Sequence, residues 1–416
     1  MICRPPVRHY TGRHLLIRLR FKGCLLSTAT ISTRLLAFSL LATLFSGFGQ
    51  TFFIGLFGGA WRTEFDLDYA ELGMLYSAAT LTSGLLIVTV GRWLDHIPLH
   101  RYTAGVVMAF AVGCVVIALA PSALWLIPGI LLLRLCGQGL MGHIAITTIA
   151  RYFSARRGRA LAIAQLGYPI GEALLPLLVV VALSLTDWRH LWWLAALALL
   201  MLLPVLLRLS VNLPAPTEDT NSTSHASRRQ VLRDWRFYAI LPVTLTAPFI
   251  ITGLFFHQVA VAEATRWSLT LLASAFSVYA ILQVSGGLLT GFLIDRYSAR
   301  RLMRFYLLPM GLGCLVLWWG ESNWLVFAYM GLLGLSAGAN GTLGGALWAE
   351  LYGTRYIGAI RAMMHALMVV STAISPVLFG LLMDGGMSIR SLALVLAVYA
   401  LVIPLVLGGS VLREAR

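Results

Sequence analysis

The stretch 91–101 reads "GRWLDHIPLHR" and, two hundred residues on, 291–301 reads "GFLIDRYSARR". Gly91 matches Gly291, Asp95 matches Asp295 and Arg101 matches Arg301, and each stretch lies between long apolar runs. Only 11% of the 416 residues are charged and 59% are apolar, with a mean hydropathy of +0.84. A soluble domain carries about 25% charged residues. The chain therefore reads as a membrane protein, and the two charged stretches as turns at one membrane face.

A bilayer core of about 30 Å takes roughly 20 helical residues to cross, and the apolar runs have that length without the alternation of barrel strands. The expected fold is all-α and integral to the membrane, with twelve transmembrane helices at about 35–59, 70–90, 102–120, 123–150, 160–185, 190–208, 237–260, 269–293, 302–319, 324–349, 358–382 and 389–411. The polar stretch "NLPAPTEDTNSTSHASRRQ", 212–230, divides them six and six. The organisation expected is a basic tail at 1–34, a six-helix bundle at 35–208, a linker at 209–236, a second bundle at 237–411 and a short tail at 412–416. Tail 1–34 holds six arginines and Lys22. It reads as a cytoplasmic tail, an over-long gene start or a membrane-surface segment, not as a cleaved signal.

The net charge of +15 reflects topology. Of 31 basic residues, Arg62, Arg189, Arg266 and Arg390 fall on one side and Arg134 inside a helix, which leaves 26 on the other side. The positive-inside rule makes the crowded side cytoplasmic and places both termini there. A polyanion such as nucleic acid is therefore not an expected partner; the lipid bilayer is. The localisation expected is a bacterial inner (plasma) membrane. Five scattered cysteines give no ligand or disulfide spacing, so neither metal nor cofactor is expected. No nucleophile has a partner at helical spacing, which argues against an enzyme.

The offset of 200 also relates Ser77 to Ser277, Gly158 to Gly358 and Pro176 to Pro376, as a duplicated six-helix unit would. Two such halves, with a Gly-x-x-x-Asp-basic loop after the second helix of each, resemble the major facilitator superfamily over about 35–411. Gly291, Asp295, Arg296, Arg300 and Arg301 match that signature well; the first copy departs at His96 and Pro98. The resemblance implies that these loops, Gly91, Asp95 and Arg101 included, latch the cytoplasmic ends of the halves in one state of a transport cycle. Plain topology-setting charge is the alternative, and it does not explain the paired Gly and Asp. "RLCGQGLMG", 134–142, and the basic stretch after it are similar to the monocarboxylate and organic-anion branches. Gly167, Pro169, Gly171 and Glu172 lack the order of the drug-antiporter motif.

Two full charges lie deep in predicted helices. Arg134 and Glu172 are each about 18 Å from a membrane face, at 1.5 Å per residue. Buried membrane charges tend to face protein or a cavity and to carry function. Either the two form a structural ion pair, or Arg134 holds an anionic solute through its forked donors while Glu172 takes up and releases a proton. Gln138, one turn from Arg134, is a second candidate contact. The resemblance places Gln50, His257 with Gln258, and Asn340 on cavity-lining helices, and His365 reads as a packing histidine. Glycines in "GLLGLSAGANGTLGGALWAE", 331–350, suit close packing or sliding.

The function expected is secondary active transport of a small solute by alternating access, with an organic anion as solute, a proton as coupling ion and a monomer as the working unit. A multidrug efflux antiporter is the alternative, and a membrane sensor that binds without transporting a more remote one.

Overall fold

The computed structural model describes residues 33–153, 157–211, 231, 233–352 and 357–413. The linker 212–230 and most of both tails lie outside the described residues. Among the described residues the chain is helical without strands. We number the helices α1 (Thr33–Gly49 and Thr51–Phe65, bent by 42°), α2 (Tyr69–Asp95), α3 (Leu99–Ala118), α4 (Ala123–Tyr152), α5 (Gly158–Leu183) and α6 (Trp188–Ser210). Then come α7 (Trp235–Phe256, continued by Gln258–Thr265), α8 (Leu269–Tyr297), α9 (Leu308–Trp319), α10 (Leu325–Tyr352), α11 (Ile357–Asp384) and α12 (Ile389–Arg413). Among the described residues ten helices are long and apolar enough to cross a membrane, eleven with the bent α1; α9 is shorter.

Boundaries expected from hydropathy fall short at several ends. Helix α1 runs to Phe65 rather than 59, and α7 resumes after His257 and reaches Thr265. Helix α8 continues through Asp295 and Arg296 to Tyr297. Gly91–Asp95 is a 3-10 extension of α2, so the two charged stretches are mostly helix ends, and only a few residues at 96–98 and Ser298 turn the chain. The physical reason is that a charge marks where the lipid ends, whereas a helix holds its own backbone hydrogen bonds and runs on into water. Conversely, α9 starts at Leu308, with Pro309 in its first turn, where a missing N–H is harmless.

The turns at the opposite end repeat with the offset of 200. Asp66 (φ 51°) and Arg266 (φ 60°) end α1 and α7 in the left-handed conformation. Two residues later Asp68 and Ser268 cap α2 and α8. Asp68 accepts from Glu71 N at 2.7 Å while Glu71 accepts from Asp68 N at 3.1 Å, a reciprocal capping box. Ser268 accepts from Leu271 N at 3.1 Å.

Extensive helix pairings include α8 with α10, α2 with α11, α3 with α6, α5 with α8, α3 with α4, α2 with α4 and α9 with α12. Adding or subtracting six turns α2–α11 into α8–α5 and α3–α6 into α9–α12.

Candidate functional site

Both halves contribute to a surface that is shut at one end and parted at the other. At the end marked by Asp66 and Arg266, small residues bring helices from opposite halves into backbone contact. A Cβ at Gly73 would stand 2.7 Å from Pro376 O, and one at Gly380 would stand 2.5 Å from Tyr69 O. Asp384, the last residue of α11, accepts from Tyr69 N at 3.2 Å and Ala70 N at 2.7 Å, closing two donors at the α2 N-terminus. Ser77 Oγ donates to Ala373 O. Between α7 and α1, Gln258 Nε2 donates to Phe52 O at 2.8 Å. Aromatic rings fill the rest of the seam, Tyr76 against Phe256 at 4.5 Å and Phe52 against Phe276 at 6.1 Å.

The end bearing Asp95 and Asp295 is open. A crevice of about 830 Å³ separates α5, through Gln165, Tyr168 and Pro169, from α8 and α10, through Gln283, Asp295 and Thr342. A second cavity of about 360 Å³ lies among α7, α10 and α11 and is lined by Thr244, Asn340, Trp348 and His365 among others. Each charged stretch here is tied within its own half. Asp95 pairs with Arg151 of α4, which also donates to Leu94 O at 3.1 Å. In the second half the signs are exchanged. Glu350 of α10 accepts from Ala299 N at 2.7 Å and Arg300 N at 3.3 Å, while Arg300 Nη2 donates to Glu350 O. Arg296 lies over the Tyr297 ring of its own helix, 5.4 Å from the centroid. Gly291 and Asp295 line the larger crevice, and Arg101 is exposed. Among the described residues no ion pair joins the halves at this end.

The two deep charges do not meet. Arg134, 1% exposed, donates from Nη1 to Gly49 O and to Thr51 Oγ1, both at 3.3 Å. Thr51 in turn shares a 2.7 Å hydrogen bond with Tyr76, whose ring centroid lies 5.2 Å below the guanidinium. This arrangement serves the break in α1. There Phe53 N and Ile54 N both donate to Gln50 O, so Gly49 O loses its helical partner, and a carbonyl unpaired at membrane depth is costly. Arg134 itself sits at the start of a π segment, 133–141, of α4. The two irregular segments touch, since a Cβ on Gly49 would lie 2.8 Å from Gly137 Cα. Glu172 is half-buried on α5; its Oε2 has no hydrogen-bond partner and no ion pair joins it to Arg134. The ion-pair reading is therefore corrected. Equal depth on consecutive helices does not set facing: Gly167 and Gly171 turn one side of α5 onto Thr43 and Leu44 of α1, and Glu172 stands about 100° away from Gly171.

Of the other expected contacts, Gln50 stands at the bend of α1 and Gln138 within the π segment, both half-buried. His257 is 4% exposed and donates from Nε2 to Pro376 O at 2.9 Å, so it ties α7 to α11. Only Asn340 among the five solute candidates lines one of these cavities. His365, read as a packing residue, lines the same cavity, a correction that hydropathy could not supply because a helix wheel does not say which face meets water. Sequence reasoning also missed Asp384, Gln165, Tyr168 and Gln283. The glycine run of α10 carried the usable signal, since Gly338, Gly341, Gly344 and Gly345 line the open end. Among the described residues no three His, Cys, Asp or Glu gather as a metal site.

Comparison with known proteins agrees with this architecture. Two solved structures share the fold at 14% identity each. A bacterial homolog of the human lysosomal transporter Spinster, inward-facing and unoccupied, superposes with a TM-score of 0.74 over 92% of this chain and 98% of that one. The nucleoside transporter NupG, solved in a mutant form, gives 0.70 over 91% and 99%. No curated protein matches the sequence. The model of the Major Facilitator Superfamily matches in two stretches, residues 39–261 and 249–415, and so covers nearly the whole chain. This chain, a multi-pass membrane protein with a transporter fold, belongs to the Major Facilitator Superfamily.

Proposed function

We propose that this protein is a secondary active transporter that moves a small solute by alternating access. The observation that carries the reading is the asymmetry of the seam: backbone contact between α2 and α11 at one end, and a crevice of about 830 Å³ between α5 and α8 at the other. In this reading α9 and the turns before it complete a twelfth crossing, and residues 35–208 and 237–411 form two six-helix bundles related by an approximate two-fold axis. The exchange of helix pairs on adding six, and the repeated turns at Asp66 and Arg266, support that relation. The positive-inside rule puts the parted end in the cytoplasm with both termini, in a bacterial plasma membrane, so the state described is inward-facing. The protein works as a monomer, since each half supplies one wall of the path. In the opposite state the charged loops at Gly91–Arg101 and Gly291–Arg301 form the cytoplasmic latch.

Glu172 is the proton carrier in this proposal. It stands beside the α5–α8 seam, where a carboxyl changes surroundings when the halves rock, and its Oε2 is free of protein partners. A small organic anion is the solute class, with Asn340 as a contact in the inward-facing cavity. Arg134, whose Nε has no partner, meets the anion when α1 rearranges, with Gln50 and Gln138 on the same irregular segments and His257 at the separate break of α7 as a further contact. Export of amphipathic drugs is the second reading, favoured by the apolar walls of the crevice at Ile163, Leu166, Leu288 and Phe292.

Reconstitution tests the proposal. Proteoliposomes with an imposed pH gradient accumulate a labelled organic anion, and the Glu172→Gln variant exchanges the anion without concentrating it. An anion flux that ignores the gradient would rule out proton coupling, and flux of cationic drugs alone would favour the export reading.

A further inference from the structure

One turn of α11 presents three metal-binding donors to a single cavity. Met364, His365 and Met368 all line the space of about 360 Å³ among α7, α10 and α11. At about 100° per residue the three positions fall within roughly a 100° arc of the helix, so they share one face. Nothing at the site is charged: its lining contains no Asp, Glu, Lys, Arg or Cys. Two thioethers and a neutral imidazole are soft donors, poor for Mg²⁺ or Ca²⁺ and suited to a soft monovalent ion.

Two further observations favour a ligand over packing. His365 is exposed and makes no hydrogen bond or ion pair to any described residue, unlike His257, which bonds to Pro376 O. The facing wall is open as well. A Cβ at Gly341 or Gly344 of α10 would meet nothing within 4 Å, and both glycines line the same cavity as the three donors. We infer that Met364, His365 and Met368 form a binding site for a soft monovalent cation of the Cu(I) class. Two of the three donors are thioethers, and the spacing of cysteines in the sequence gives no hint of them. The site goes beyond the transport reading and does not depend on it, because binding is measured without flux.

The test uses the full chain in detergent with accessible thiols blocked by N-ethylmaleimide, and Cu(I) supplied from its bicinchoninate complex under ascorbate. Wild type is expected to withdraw one Cu(I) per chain, and X-ray absorption to show two sulfur scatterers and one nitrogen. The near-isosteric double variant Met364→Leu/Met368→Leu should bind more than about 100-fold more weakly, beyond what loss of an outer partner alone costs a metal site. His365→Gln should weaken binding too, and it stands in if the double variant's melting curve shows it unfolded. Unchanged copper withdrawal in these variants would assign the metal to the buried thiols of Cys114, Cys136 or Cys314 and overturn the site, as would no withdrawal by wild type.

Discussion

Gly73→Ala should push the protein toward the state in which the Asp66 end opens. The new Cβ would stand 2.7 Å from Pro376 O, 2.9 Å from Pro376 C and 3.0 Å from Val377 Cα. All three are backbone atoms of α11, so no side chain can swing aside, and α2 and α11 must separate by roughly half an ångström or more. Overpacking of this kind costs about 1–3 kcal/mol. The penalty applies only while the two helices touch, so it enters the balance between states as a shift of about 5- to 150-fold. Spin labels at Thr63 and Glu263, exposed positions near this end of α1 and α7, would report it by double electron–electron resonance in a background without other reactive thiols. The expected result is a longer-distance population that grows in Gly73→Ala and is unchanged in the control Gly105→Ala, where a Cβ meets nothing within 4 Å. A folded Gly73→Ala protein with the wild-type distance distribution would refute the idea that this contact holds the end shut.

Three other outcomes follow from the geometry. Arg134→Ala leaves Gly49 O without its donor and Thr51 Oγ1 with Tyr76 alone and should lower stability by about 1–3 kcal/mol, read as a drop in apparent Tm; an unchanged Tm would mean that the α1 break needs no brace. Asp384→Asn keeps the size but removes the charge facing the α2 N-terminus. At an exposed site this is worth about 0.3–1 kcal/mol, so the same spin-label pair should show a smaller shift than Gly73→Ala gives, and a larger one would show that charge rather than close packing dominates the closure. Arg266→Gly relieves a left-handed side-chain conformation that costs about 1–2 kcal/mol, partly offset by about 0.4–1 kcal/mol from a looser unfolded chain. A small rise in Tm is expected, and a fall would show that the Arg266 side chain makes a contact of greater worth.

Much of the fold was legible because lipid imposes a one-dimensional rule. A segment in hydrocarbon must be apolar and must satisfy its own backbone, so span positions and the repeat of 200 are written in composition and spacing. That rule says nothing about which way a helix faces. Arg134 and Glu172 were legible as deep charges, yet Arg134 turned out to serve the carbonyl freed by the bend at Gln50 and to stand apart from Glu172. Nothing local in the sequence announces that bend. His365 and Asn340 look alike in the sequence as lone polar residues in apolar helices, and only the packing of α7, α10 and α11 put both on one cavity.

The sequence alone determined a helical, multi-pass membrane chain and the offset of 200 in its spacing, since hydropathy acts residue by residue. Tertiary structure alone decided which end of the seam is shut. Closure depends on Gly73 meeting Pro376 and Asp384 meeting the start of α2, contacts between residues some three hundred positions apart. Their distance is set by how whole helices lie against one another, a quantity that no local stretch of chain contains.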